Sequence, residues 1–189
     1  MRMSIASSFP LAVTVAVIAV VSSAYGLRAA EATIEGTCAA AAARDRRVDA
    51  AFCARRFAAY HGAAEAGPWG MARTAALIGV SLGDDAAYDI GEGVVRPPPA
   101  GGARGKAALH ECARAYDAVG MAFAEASDEL GARRYAEAEE RFARVAALAQ
   151  RCDGVLAVAG ARTPPALARY SADCQQMAVI GIAITNLIK

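Results

Sequence analysis

Apolar residues recur at alternating intervals of three and four residues through the second half of the chain, which predicts three amphipathic helices. The first apolar seam consists of Leu109, Cys112, Tyr116, Val119, Phe123, Ala126 and Leu130. The second consists of Tyr135, Ala138, Phe142, Val145, Ala149, Cys152 and Leu156. The third consists of Leu167, Tyr170, Cys174, Met177, Gly181, Ile184 and Ile188. Each seam lies on one side of its helix, as packing in a helical bundle requires.

The upstream part of the chain is also predicted to be helical, although its apolar pattern is weaker. Residues 70–91 are predicted to form one helix, and residues 34–61 two shorter helices that break near Asp45. The side chains expected to be partly buried in the longer helix are Leu77, Leu82, Tyr88 and Ile90. Alternating strand patterns are absent, and good helix formers such as Ala, Arg, Glu and Leu dominate. The sequence therefore predicts an all-α fold.

Glycine, proline and threonine mark the expected ends of these helices. Gly131 separates the first two seams. A loop is predicted over residues 91–105, which include three consecutive prolines at 97–99. Thr163 is predicted to cap the last helix at its N-terminus, with Pro164 at the first helical position.

The first 24 residues have the layout of a secretory signal peptide. Arg2 supplies a positive charge near the start, Leu11 to Val21 is an apolar run, and small residues precede an expected cleavage after Ala24. A membrane anchor is the less favoured alternative, because the run is shorter than the ~20 apolar residues that span a bilayer. The sequence thus predicts a secreted protein whose mature domain covers residues 25–189.

Charge and motifs argue for a binding protein without enzyme activity. Without Arg2, basic and acidic side chains are equal in number, so neither nucleic acid nor anionic lipid is an expected partner. His61 and His110 have no partner at metal-ligand spacing and are expected to face solvent. The sequence contains no nucleophile-elbow or phosphate-loop motif. We therefore expect no catalytic residue, no metal site and no cofactor.

Five cysteines in a secreted chain indicate disulfide bonds. Cys112 and Cys152 are equally distant from residue 132, where two antiparallel helices would turn, so they are predicted to form a bridge. Cys38 and Cys53 bracket the break near Asp45 and are predicted to form a second bridge by the same argument. Cys174 then remains as a buried free thiol, with intermolecular pairing as the alternative.

These features resemble those of the plant invertase and pectin methylesterase inhibitor family. The similarity rests on the paired N-terminal cysteines and on the stretches HECARAYDAV, RYAEAEERFARVAALAQRC and MAVIGIAITNLI, and it covers residues 33–189. It implies an up-down-up-down four-helix bundle preceded by an N-terminal helical hairpin, with two disulfides paired as above. It also implies a non-covalent inhibitor of pectin methylesterase or acid invertase, located in the cell wall (the apoplast) or in the vacuole.

The resemblance suggests two contact surfaces, one for each branch of the family. Invertase inhibitors carry a Pro-Lys-Phe stretch in the central hairpin turn, and Arg133, Arg134 and Tyr135 occupy the matching place here, with arginine instead of proline. Pectin methylesterase inhibitors present outward helix faces that often carry threonines, where this chain has Ala147 and Arg151. Neither signature is complete, so both target enzymes stay open.

A second class of function is also compatible with the sequence. A helical bundle with alanine at many inward positions could carry a small apolar ligand in its core. A closed internal pocket would favour the carrier, whereas a filled core with a protruding turn would favour the inhibitor. For Tyr135, a purely structural role in the core is the alternative to partner contact.

Overall fold

The computed structural model describes residues 33–63, 66–96 and 102–189. Within these ranges the chain forms six helices and no strand. The helices are α1 (Ile34–Arg44), α2 (Ala50–Ala58), α3 (Gly67–Gly91), α4 (Gly102–Gly131), α5 (Tyr135–Val158) and α6 (Pro165–Thr185). The predicted signal peptide and the prolines at 97–99 lie outside the described residues.

Helices α3 to α6 form a closed four-helix bundle. Each packs against the helix that follows it in sequence, and α6 returns to pack against α3. The connections from α4 to α5 and from α5 to α6 are short, as antiparallel neighbours require. The predicted all-α, up-down-up-down bundle with a preceding helical hairpin is confirmed.

The N-terminal hairpin of α1 and α2 packs mainly against α6 and α3. The side chain of Asp49 caps α2 by accepting a 2.9 Å hydrogen bond from the N–H of Phe52. Gln176 of α6 accepts a hydrogen bond from the N–H of Asp49 (3.1 Å) and donates one to the carbonyl of Arg47 (2.9 Å). The hairpin is therefore fixed to one side of the bundle.

The structure contains both predicted disulfides. Cys38 and Cys53 join α1 to α2 with a Cα–Cα distance of 5.8 Å. Cys112 and Cys152 join α4 to α5 with a Cα–Cα distance of 4.5 Å. Cys174 is a free thiol in α6 and is fully buried.

One layer of the core pairs two phenylalanines with two glycines. The rings of Phe123 in α4 and Phe142 in α5 meet edge to face, with centroids 5.9 Å apart. A Cβ added at Gly79 in α3 would overlap the Phe123 ring, and one added at Gly181 in α6 would lie 2.5 Å from Cζ of Phe142. Each ring therefore fills the space that a glycine leaves open on the facing helix.

A second pair of glycines brings α3 and α4 into backbone contact. A Cβ added at Gly83 would lie 2.7 Å from the backbone N of Gly120, a separation that real Cβ atoms do not show. The two helices can approach this closely because neither residue has a side chain at the crossing point.

Several local predictions for helix positions were wrong. Leu77 and Tyr88 were expected to be partly buried, but they are 39% and 65% exposed. The core side of α3 consists largely of glycine and alanine, because only small residues fit at its close contact with α4. Thr163 does not cap α6: Pro164 occupies the cap position, and the Thr163 hydroxyl donates a 2.6 Å hydrogen bond to Asp153.

The close contact of α3 with α4 predicts that Gly83→Ala destabilises the protein. Alanine raises helix propensity by ~1 kcal/mol, but overpacking costs about 3 kcal/mol, the upper end of the usual range, because the added Cβ meets backbone atoms that cannot rotate away. We expect the melting temperature to fall by several degrees in thermal unfolding followed by circular dichroism. Gly154→Ala is the matched control, because Gly154 lies in α5 with open space around it, and this change should stabilise the protein slightly. Equal melting temperatures for the two variants would contradict the prediction.

The cysteine arrangement predicts the outcome of peptide mapping and thiol alkylation. Burial raises the pKa of the Cys174 thiol to about 12, so the native thiol is both inaccessible and protonated at pH 8. We expect iodoacetamide to modify Cys174 only after unfolding, with Cys38–Cys53 and Cys112–Cys152 as the bridged peptides in non-reducing digests. A bridge that includes Cys174 in the monomer would be inconsistent with this arrangement.

Candidate protein-binding surface

The turn between α4 and α5 ends α4 with a Schellman motif. The N–H of Arg134 donates to the carbonyl of Glu129 (2.8 Å), and the N–H of Arg133 donates to the carbonyl of Leu130 (3.1 Å). Arg133 has a φ of 61°, in the left-handed region that glycine usually occupies at this position. An arginine here costs roughly 1 kcal/mol relative to glycine. Proline cannot replace it in this turn, because its ring fixes φ near −65°.

Arg133 lies on the α3 side of the turn and stacks on Trp69. Its guanidinium carbon is 4.2 Å from the centroid of the indole ring, and its Nη1 donates a 3.2 Å hydrogen bond to the hydroxyl of Tyr135. The indole N–H of Trp69 donates to the carbonyl of Leu130 at 3.1 Å, which fixes the ring against the end of α4. Arg73, one turn further along α3, places its guanidinium carbon 5.4 Å from the same ring centroid.

Arg134 lies on the other side of the turn and belongs to a chain of ion pairs between α4 and α5. It pairs with Glu129, whose side chain is 14% exposed and also lies 3.9 Å from Arg141. Glu125, one turn back along α4, pairs with Arg141 at 3.1 Å and with Arg144 at 3.8 Å. Partly exposed pairs of this kind contribute only about 0–1 kcal/mol each, so their main effect is to hold these side chains in place.

The three predicted contact residues are therefore divided by the structure. Arg133 and Tyr135 bond to each other beside Trp69, and Arg134 faces the α4–α5 side. Tyr135 is half-buried and packs against the core, as its place in the second apolar seam predicted. Whether these residues contact a partner stays a prediction.

An open groove of about 440 Å³ runs between α4 and α5, next to the ion pairs. It is lined by Ala118, Met121, Ala122, Glu125, Arg144, Ala147 and Leu148. Met121 stands out because this large apolar side chain is 62% exposed. We refer to this groove and the adjoining ion pairs of Arg134 and Arg141 as the α4–α5 surface.

Sequence reasoning pointed to the outward helix faces for pectin methylesterase but did not single out Met121. Its only signal was a large apolar residue outside the seam of α4, two positions after Val119. Ala147, which stands where the resemblance places a threonine, does line the groove, and Arg151 is exposed one turn further along α5. The α4–α5 surface lies away from α3 and α6, the helices on which the N-terminal hairpin packs.

Away from the turn, a polar contact joins α6 to α3. The hydroxyl of Tyr170 donates a 2.8 Å hydrogen bond to Asp89, and burial together with that carboxylate raises the pKa of Tyr170 to about 12.

His61 and His110 are exposed, as predicted. Across the described ranges, His, Cys, Asp and Glu residues form no cluster that could hold a metal ion. None of the helices in those ranges is long and apolar enough to cross a membrane.

Comparison with known proteins gives two relatives from rice (Oryza sativa subsp. japonica). The chain is 44% identical over 158 residues to the protein named pectinesterase inhibitor 8, an alignment that covers 84% of each chain. It is 39% identical over 188 residues to pectinesterase inhibitor 12, which covers the whole of this chain and 87% of that relative. No family model matches the sequence, and no solved structure matches it. At this identity, and over this much of the sequence, the chain belongs to the family of plant pectinesterase inhibitors.

Proposed function

We propose that this protein is a secreted, non-covalent inhibitor of pectin methylesterase in the plant cell wall and that it binds the enzyme through the α4–α5 surface. The observation that carries the choice of surface is the exposed Met121 in an apolar groove flanked by ion pairs. The names of the two rice relatives support pectin methylesterase as the target.

The α4–α5 surface has the anatomy of a protein interface. Specific interfaces place apolar anchors at the centre and polar groups at the rim, and methionine and arginine are enriched in them. Here Met121 and Leu148 supply the apolar centre, and Glu125, Arg141 and Arg144 supply the charged rim. Because the ion pairs already hold the rim side chains, less conformational entropy is lost when an enzyme binds.

The core of the bundle favours inhibition over the transport of a small apolar ligand. Large side chains fill the space between α4 and its neighbours, with Tyr116, Phe123 and Phe142 all fully buried. The close contact between Gly83 and Gly120 leaves no gap between α3 and α4 at that level. The carrier hypothesis requires room in the core, and these residues occupy it.

Acid invertase is the second candidate target, and the exposed Arg134 at the tip of the central turn favours it. The left-handed conformation of Arg133 counts against it, because a proline matching the invertase branch cannot occupy that position in this turn. The direct test is the inhibition of purified pectin methylesterase and acid invertase, side by side, by residues 25–189. Inhibition of invertase alone would overturn the proposed target.

A charge placed in the groove should abolish tight inhibition of pectin methylesterase. We expect Met121→Glu to raise the inhibition constant at least 30-fold, because it removes an apolar anchor and buries a carboxylate on binding. Val158→Glu is the matched control: Val158 is also apolar, is 88% exposed and lies at the far end of α5. Circular dichroism should show unchanged helix content in both variants. Equal inhibition by both would exclude the groove as the binding site.

Loss of the charge at Arg134 should weaken inhibition without unfolding the protein. We expect Arg134→Gln to raise the inhibition constant about 5- to 30-fold, which is about 1–2 kcal/mol for an interface arginine. The melting temperature should change little, because the pair with Glu129 is half-exposed and contributes about 0–1 kcal/mol. Arg47→Gln is the control, since Arg47 is an exposed, ion-paired arginine in the N-terminal hairpin. If the two variants inhibit equally, Arg134 is not a contact residue.

A further inference from the structure

Two arginines share one indole ring at the end of the bundle where α3 begins and α4 ends. We call Trp69, Arg73, Arg133 and Tyr135 the Trp69 cluster. The guanidinium carbons lie 4.2 Å (Arg133) and 5.4 Å (Arg73) from the ring centroid. The cluster is separate from the groove, because Met121 lies about 18 Å along the helix axis from residue 133, at 1.5 Å per residue.

The charges of this cluster are not neutralised within the described part of the chain. Neither Arg73 nor Arg133 has a carboxylate within ion-pair distance among those residues. On the other side of the same turn, Arg134 and Arg141 are both paired with glutamates. Because both guanidinium carbons lie within 5.4 Å of the same ring centroid, the two positive charges repel each other, and an anion that binds close to the ring relieves that repulsion.

The position of Arg133 is fixed before any ligand arrives. The Schellman turn sets its backbone, the indole ring supports its guanidinium, and Tyr135 accepts a hydrogen bond from its Nη1. Trp69 is itself held by its hydrogen bond to the carbonyl of Leu130. Arginine occupies a left-handed position that glycine fits better, and such backbone strain is concentrated at functional sites.

We propose that the Trp69 cluster binds the carboxylates of a linear polyuronide, an acidic polysaccharide with a carboxylate on each sugar. A guanidinium recognises a carboxylate through two parallel hydrogen bonds, and the partly exposed rings of Trp69 and Tyr135 offer aromatic surface to the sugar rings. Arg133 is exposed and the other three side chains are partly exposed at the end of the bundle, where an extended polymer can lie across them. The apolar groove that an enzyme anchor would fill lies instead beside Met121.

The choice of polymer rests on the proposed function. Hydrolysis of the methyl esters of pectin by the proposed target leaves uronate carboxylates, so this polymer accumulates where the enzyme acts. Binding at the Trp69 cluster would hold the inhibitor on that product, while the α4–α5 surface remains free for the enzyme.

The test is the binding of polygalacturonate to the whole mature protein by isothermal titration calorimetry, with Arg133→Gly and Arg162→Gly compared. Glycine fits the left-handed turn, so Arg133→Gly removes the guanidinium without disturbing the fold. Arg162 is exposed between α5 and α6, at the other end of the bundle, so its variant controls for the same change in net charge. We expect binding to weaken at least tenfold for Arg133→Gly and less than twofold for Arg162→Gly. Fully methyl-esterified polymer should not bind.

Several outcomes would overturn the inference. Absence of binding by the unaltered protein, or equal loss in both variants, would show that the cluster is not a specific site. Equal binding of poly-glutamate would indicate recognition of acidic polypeptides rather than of a polyuronide. Met121→Glu separates the two proposals, since it should lose enzyme inhibition and keep polygalacturonate binding. Failure of one measurement alone therefore identifies the proposal that is wrong.

Discussion

The bundle depends on one constraint: α3 and α6 must present glycine where α4 and α5 present phenylalanine. The Phe123 ring occupies the volume above Gly79, and the Phe142 ring occupies the volume above Gly181. The two rings meet each other edge to face, so this single layer connects all four helices. A larger residue at either glycine would displace the phenylalanine ring that faces it. Because the two rings contact each other, both α4 and α5 would have to move. Packed cores transmit such changes because their side chains have little free volume.

This close packing has consequences for the outer surface. The Cys112–Cys152 bridge, with its Cα–Cα distance of 4.5 Å, and the contact of Gly83 with Gly120 hold α4 tightly to both of its neighbours. The backbone positions of residues that point away from such a scaffold, among them Met121, are therefore fixed relative to one another. An inhibitor that binds without a covalent bond gains affinity from this rigidity, because less conformational entropy is lost when the complex forms.

Much of the fold could be predicted from the sequence, and the failures have a physical cause. The seams of α4, α5 and α6 contain large apolar residues at regular spacing, and two cysteines equidistant from the turn identified a bridge. On α3 the close contact with α4 is made by small residues, which a search for large apolar residues overlooks. Of the four large residues predicted to be partly buried, Leu82 and Ile90 are buried, whereas Leu77 and Tyr88 lie on the exposed side. The contact of Trp69 with Arg133 spans more than sixty positions in the chain, and no periodic pattern reports such a contact.

The central turn shows how one local conformation separates two surfaces. A glycine at position 133 would suit its φ of 61° and stabilise the turn by roughly 1 kcal/mol, yet the chain has arginine there. The left-handed residue reverses the direction of the chain, so Arg133 points toward Trp69 on α3 while Arg134 points toward Glu129 on the α4–α5 side. Adjacent cations of the same sequence motif thus reach different environments, one unpaired on an aromatic ring and one neutralised in a chain of ion pairs. Because the two environments differ in charge, the proposed carboxylate polymer and the proposed enzyme partner would contact different side chains of the same turn.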